Sequence, residues 1–360
     1  MGQKQGAAGI TSGPRCRGAE RLDVLDLDQG QRPPARISPD GASEGVRHGQ
    51  QRRRDHDTRG RRCGPPRYRG GEPGSGTLKR GPALAAAFGA AGTVAAHLTA
   101  ADAARRRTDA LAARLDGPQD NAAEVAALPP LVRDYALRVA PGLAVPGTIT
   151  LRQTAEMRAE PDGRWQSLTA RQVIGVRRPG FVWLAQARLG RLLPVSILDA
   201  YADGRGLLEA RLFGALRVAR MAGPQADKGE LMRYLAELPW APQAMLHNPY
   251  LRWRMLDAAT AEVSADCSGG PARVRLVFRG GDVVRAEADD RPRAVGRSFV
   301  PTAWAGEFGD YREMGGCRIP SRAEVSWWPD TGRFACWRGT VTACGVGAER
   351  PLIPAVGSRG

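Results

Sequence analysis

The chain has 360 residues, enough for two domains, but all eight Trp lie between Trp165 and Trp337 and Tyr68 is the one aromatic residue before position 81. A segment so poor in large apolar side chains cannot offset its ordering entropy, which leaves one sizeable domain. Half of the +16 net charge sits in residues 1–80, and 50 of the 53 basic residues are Arg. That bias accompanies abundant Ala, Gly and Pro and reads as coding composition, so nucleic acid is a disfavoured partner.

In chain order, residues 1–77 are Arg-, Gly- and Pro-rich with almost no apolar period. They read as a disordered or mis-annotated extension, with the true start expected near Leu78. Residues 78–101 place Lys79-Arg80 before the uncharged run 82–96. A short basic start followed by an apolar run is the layout of an export signal or weak anchor, and points to the cell envelope. The alternative is an Ala-rich helix in a cytoplasmic protein, because a spanning segment needs about 20 predominantly apolar residues. Residues 102–123 read as a polar helical linker carrying Arg105, Arg106 and Arg107.

From 124 to 346 the pattern is that of one antiparallel β domain, followed by a disordered tail at 347–360. Leu131, Val132, Tyr135 and Val139 mark a short amphipathic helix. Strand patterns follow at 148–158, 164–176, 181–188, 193–201 and 207–218. The turn residues Glu160-Pro161-Asp162-Gly163 and Ala202-Asp203-Gly204 separate two of the pairs. A helix is predicted over 227–238, with Asp227 as N-cap and Glu230 three residues on. Further strands are predicted at 251–256, 261–267, 272–279, 283–288, 303–312, 317–328 and 333–343. The fold class is therefore mainly β (α+β), a large curved antiparallel sheet or open half-barrel wrapped around one or two helices. About the turn at 329–332, residues whose numbers sum to 661 should face each other. That parity gives an apolar inner face of Cys317, Ile319, Ala323, Val325 and Trp327 against Phe334, Cys336, Thr342 and Cys344.

A set of motifs within this domain is more specific than any one of them. It comprises Asp199-Ala200-Tyr201-Ala202-Asp203-Gly204-Arg205-Gly206, then Gly229-Glu230-Leu231-Met232-Arg233-Tyr234-Leu235-Ala236-Glu237 with Trp240 and Pro242. Trp304-Ala305-Gly306-Glu307-Phe308, Asp310-Tyr311-Arg312 and Arg318-Ile319-Pro320 complete it. Over residues 125–346 the chain resembles a bacterial domain family of unknown function whose members are exported or membrane-anchored. The resemblance implies an N-terminal hydrophobic segment ahead of the domain. It also implies a shape similar to lipoprotein-carrier proteins, in which a curved sheet encloses a lipid-binding cavity around helices.

Chemistry is sparse. No close Cys pair has zinc spacing, no Gly-rich phosphate loop stands between strand and helix, and no cofactor is expected. Cys317 and Cys344 fall opposite each other by parity, so a disulfide competes with two buried thiols. His247 is the one His after residue 124 and reads as an ordinary loop residue. Among the acids, Asp199 stands between Ile197 and Tyr201 on an apolar face. There it is either an Arg-paired structural group or a weak catalytic candidate. Glu230, Arg233 and Glu237 have the spacing of helix-surface ion pairs. Ligand-contact candidates are Asp199, Tyr201, Trp240, Trp253, Arg293, Trp304 and Tyr311, with Trp165 and Trp183 as further cavity aromatics. The expected function is a non-catalytic, envelope-associated domain binding a lipid or other apolar molecule, with the membrane reached through the N-terminal segment. The alternatives are an enzyme on a small or lipid-like substrate with Asp199 as acid or base, and a scaffold with a filled core.

Overall fold

Alternation of apolar and polar residues through most of the domain produces strands, and short Gly-containing turns make nearly all of them antiparallel neighbours. The structure is a computed structural model and describes residues 81–116, 127–142, 145–189, 192–296 and 298–347. The expected extension at 1–77 and nearly all of the expected tail at 347–360 lie outside the described residues. Chain contacts divide the molecule into one unit containing Val94–Gly360 and another spanning Gln29–Thr93.

Helix α1 (Gly81–Arg114) is a single element of 34 residues that runs from the expected anchor-like segment into the expected linker. Among the described residues no helix is long and apolar enough to cross a membrane. Helix α2 (Pro130–Val139) buries Val132, Tyr135, Ala136 and Val139, the face read from its sequence period.

Thirteen strands form one sheet, in the order β6-β5-β4-β3-β2-β1-β13-β12-β11-β10-β9-β8-β7. The first six are β1 (Thr148–Met157), β2 (Gln166–Gly175), β3 (Phe181–Leu189), β4 (Leu193–Ala202), β5 (Arg205–Leu212) and β6 (Leu216–Ala222). Helix α3 (Pro224–Ala236), a single 3-10 turn (Leu238–Trp240) and helix α4 (Pro242–His247) come next. The chain returns through β7 (Arg252–Met255), β8 (Thr260–Cys267), β9 (Gly270–Arg279) and β10 (Asp282–Val295). It ends in β11 (Ser298–Met314), β12 (Cys317–Trp328) and β13 (Phe334–Val346). Two meanders thus meet where β13 pairs with β1, and α3, which links them in sequence, packs against β4, β5 and β6 of one and β8, β9 and β10 of the other. The sheet is a half-barrel and α3 lies in its open side.

Burial follows from that arrangement. The main core joins the inner faces of the strands to Leu231, Met232, Tyr234 and Leu235 of α3, all fully buried. Each such side chain is worth roughly 1.5–3 kcal/mol. A second, smaller core lies on the outer face, where Ala112 of α1 and Leu115 just after it meet Val182, Leu184, Leu198 and Leu207. Residues 181–185 of β3 are therefore all buried, as a strand covered on both faces requires.

Several boundaries differ from expectation. The stretch 207–218 is interrupted at Phe213-Gly214, both with positive φ, and continues as β6. A long β10–β11 hairpin fills residues 288–303, where Arg291, Pro292 and Pro301 had hidden the strand pattern. Parity 661 holds for Ser326↔Ala335 and Trp327↔Phe334, then a bulge shifts the register to Val325↔Trp337. Trp337 and Val341 consequently pack on the main core, in place of Cys336 and Thr342.

Helix α3 begins at Pro224 after Gly223, without a side-chain cap, so Asp227 is not its N-cap. Asp227 is instead a clasp, only 1% exposed. Its Oδ1 accepts from Gly206 N of β5 at 2.7 Å, and its Oδ2 accepts from Ser268 Oγ in the β8–β9 turn. Close approach at this point depends on glycine, because a Cβ on Gly206 would lie 2.4 Å from Ala226 O and one on Gly269 2.0 Å from Pro224 O. Asp227→Ala is expected to lower stability by about 2–4 kcal/mol, and Asp227→Asn by less, since Asn keeps an acceptor. Urea unfolding midpoints check this; an unchanged midpoint for the Ala variant contradicts the clasp.

Candidate functional site

A helix enclosed by a curled sheet must find partners for its ionisable groups, and Glu230 and Arg233 of α3 with Glu237 at its C-terminal cap lie beneath the concave face. Arg233, 17% exposed, donates from Nε to Glu237 Oε1 at 2.8 Å and from Nη1 to Asp199 Oδ2 on β4. Its guanidinium stacks over Phe181 at 4.7 Å and Trp183 at 5.0 Å. The polar chain runs on through the sheet. Gln172 Nε2 donates to Glu237, Gln153 Nε2 to Gln172 Oε1 at 3.2 Å, and Trp183 Nε1 to Gln153 Oε1 at 2.8 Å. The pairs expected on a helix surface are therefore interior, because the face carrying Glu230, Arg233 and Glu237 points into the half-barrel. Removing one partner of such a pair costs about 3–5 kcal/mol, since the other charge is left buried.

Arg291 reaches the same region from β10. The register shift between Ala288 and Arg291 precedes it, and its guanidinium lies 4.6 Å from the Trp304 ring and 5.4 Å from Trp327. Burial pushes its pKa down, while Glu230 and Asp199 act the other way. Glu230 is 8% exposed. Burial, and then the neighbouring Asp199 carboxylate, raise its pKa well above the usual carboxylate range. Arg233 is held protonated because Glu237 and Asp199 outweigh its desolvation. The arrangement places the raised Glu230 carboxyl beside the Arg233-bound Asp199 carboxyl, with the Arg233 and Arg291 guanidinium groups close by.

Next to this network is a cavity of about 150 Å³. Its aromatic wall consists of Trp183, Trp240, Trp304, Phe308 and Trp337. Its polar wall consists of Gln153, Asp199, Arg233, Glu237 and Arg291. Trp240 is anchored by Nε1 donating to Pro320 O at 2.9 Å, and meets Phe308 edge-on at 5.7 Å.

Of the sequence candidates, the cavity brings together Asp199, Trp183, Trp240 and Trp304. Tyr201 is buried but stands apart from it, nearer Cys267 and Asp227, and desolvation raises its phenol. Trp253 packs on the core from β7, and Arg293 lies two residues beyond the cavity's own Arg291. Tyr311 hydrogen-bonds to Tyr135 at 3.2 Å and donates to Val283 O at 2.7 Å, outside the cavity wall. Trp165 stacks with Arg158 and Arg338 and is no part of the inner wall. His247 has its pKa lowered by burial and then by Arg177. Cys317 and Cys344 are free; Gln243 Nε2 lies 2.9 Å from Cys317 Sγ, and burial pushes Cys344 up to about 12. Reading the sequence missed Arg291 and Trp337, both displaced inward by bulges that no residue pattern announced. Among the described residues no three His, Cys, Asp or Glu side chains are grouped to hold a metal ion.

A family model described as a family of unknown function, DUF6544, matches residues 118–339, more than half of the chain. The chain belongs to that family. The DUF6544 match ends two residues after Trp337 and contains every residue of the cavity wall. No curated protein matches the chain at a significant level. Among solved structures, it is similar to a LolA superfamily protein from Nitrosomonas europaea. That likeness has 8% identity and a TM-score of 0.34, covering 61% of this chain and 93% of the other. A DUF1329 family protein from Desulfovibrio piger is similar at 10% identity and a TM-score of 0.35, covering 59% and 90% respectively.

The raised Glu230 carboxyl has a consequence for stability. In the unfolded chain it ionises near 4.5, while in the folded DUF6544 domain it keeps its proton to higher pH. The folded state then binds more protons, so this contribution is complete below 4.5 and is lost as pH rises through the folded value. Glu230→Gln is expected to flatten the decline in urea midpoint from pH 5 towards neutrality and above. A wild-type profile with no such decline, or an unaltered one in the variant, contradicts the assignment.

Proposed function

We propose that the DUF6544 domain is a non-catalytic binding module of the cell envelope that takes an apolar ligand into its half-barrel. The observation that carries this reading is the cavity of about 150 Å³ with an aromatic wall and a few fixed polar groups, the usual make-up of a ligand pocket. A volume of that order holds a benzene-sized group and lies below the roughly 300–1,000 Å³ of most ligand pockets. The buried part of the ligand is accordingly a ring or a short alkyl chain. A longer lipid chain requires α3 to withdraw, breaking the Arg233 bridge to Asp199. The envelope location rests on the basic start and uncharged run at 79–96.

A second reading is an enzyme on a small or lipid-like substrate with Asp199 as acid or base. It draws on Glu230 beside Asp199, because a carboxyl whose pKa is raised by burial and a neighbouring acid is suited to proton transfer. The cavity counts against a scaffold with a filled core.

Native mass spectrometry of the full chain, purified without detergent, tests the binding reading. A bound apolar molecule is expected, and Ala236→Leu, which projects into the cavity from α3, should release it without loss of the circular dichroism spectrum. A clean apo mass for the wild type, or a ligand retained by the Leu variant, overturns it.

A further inference from the structure

A second concave region lies on the opposite face of the sheet. Residues 97–108 of α1 stand over the outer face of β1–β5 and leave a groove of about 880 Å³. Five Arg line it (Arg105, Arg107, Arg152, Arg171 and Arg211), and Glu209 is the one carboxylate lining it. Glu209 is 3% exposed and already shared by Arg211 at 2.6 Å, Arg107 at 3.5 Å and Arg217 at 3.9 Å. Among the described residues, the lining of the groove thus holds five guanidinium groups to one carboxylate.

Beside it, two neighbouring turns expose large apolar side chains. Leu192 is 82% exposed at the start of β4, and Phe213 and Leu216 in the β5–β6 turn are 50% and 60% exposed. Phe213 N donates to Pro194 O at 2.9 Å, which ties the two turns together. His97 Nε2 lies 3.1 Å from Phe213 O and its ring meets Phe213 edge-on at 6.4 Å, so α1 joins the same patch with exposed Leu98. Exposed apolar tips beside a cationic groove combine two features that hold a protein on an anionic lipid surface.

We propose that this groove and these turns form a docking surface for membranes containing anionic phospholipid. The tips enter the headgroup boundary while the groove arginines face lipid phosphate. Gln153 borders both spaces, but the docking surface does not require the inner-cavity reading to hold.

The test is flotation of the full-length chain with vesicles of phosphatidylcholine alone, and of phosphatidylcholine and phosphatidylglycerol in equal parts. Partition onto the anionic vesicles should be about tenfold stronger and should fall at high salt. The double variant Phe213→Asp/Leu216→Asp should lower that partition by about tenfold, and Asp is compatible with the positive φ at Phe213. Leu192→Asp repeats the test at a side chain with little packing to lose. Because residues 1–80 are also basic, the comparison of variants with wild type isolates the tips. Equal partition of wild type and variants, or no partition onto either vesicle, overturns the proposal; the second outcome would favour a protein partner.

Discussion

A helix surrounded by the concave face of a sheet has little solvent side on which to place its charges, and this constraint organises the domain. Helix α3 carries Asp227, Glu230 and Arg233 and is capped by Glu237, all in the interior or at its edge, while its Lys228 pairs with Asp290 towards solvent. Each needs a partner on the sheet, and those partners come from both meanders. Asp227 ties β5 to the β8–β9 turn, Arg233 reaches β4, Glu237 reaches β2, and Glu230 faces Arg291 of β10 electrostatically. The polar groups of the helix thus hold the half-barrel shut, while its Leu, Met and Tyr side chains fill most of the core. Breaking a buried pair is costly, whereas a well-packed apolar replacement of both partners can be neutral. That asymmetry specifies one position of α3 more than it adds stability.

The same packing explains why a small space survives beside the helix. Indole rings are large and rigid, and Trp183, Trp240, Trp304 and Trp337 are held by hydrogen bonds, edge-to-face contacts or stacked guanidinium groups. Rings fixed in that way do not collapse into an adjoining gap. On the outer face, α1 covers β2–β5 with small residues such as Ala112 near its C-terminal end, and stands off where the arginines gather. One sheet therefore presents an interior space with an aromatic wall on one side and an arginine-lined groove on the other.

Much of the fold was legible because strand alternation and turn chemistry are local signals. The hairpins about Glu160-Pro161-Asp162-Gly163 and Pro329-Asp330-Thr331-Gly332 stood where their residues placed them. Helix α3 was also legible from Leu231, Tyr234, Leu235 and Leu238, and so was the half-barrel that follows from strand number. The rest depended on tertiary context. Glu230, Arg233 and Glu237 have the spacing of surface ion pairs, and no property of the helix alone says that its polar face is enclosed. Bulges escaped for a related reason. One extra residue in β13 brought Trp337 rather than Cys336 onto the inner face, which a strict two-residue period misassigned, while Arg291 follows the shift in β10 and lay beyond the predicted strand 283–288. Asp199 and Trp304 were identified because a carboxylate on an apolar strand face and a motif-borne Trp are visible without the fold.

The central claim is that α3 closes the half-barrel around a real space, aromatic on one wall and polar on the other, rather than a filled core. Diffraction from crystals of the chain under xenon pressure tests it most directly, because xenon settles against apolar and aromatic walls in a space of this size without needing a specific head group. The expected result is a bound xenon among Trp183, Trp240 and Trp304, with α3 and the Arg233 bridge undisturbed. Crystals with no xenon inside the sheet and side chains packed through that space would contradict the account.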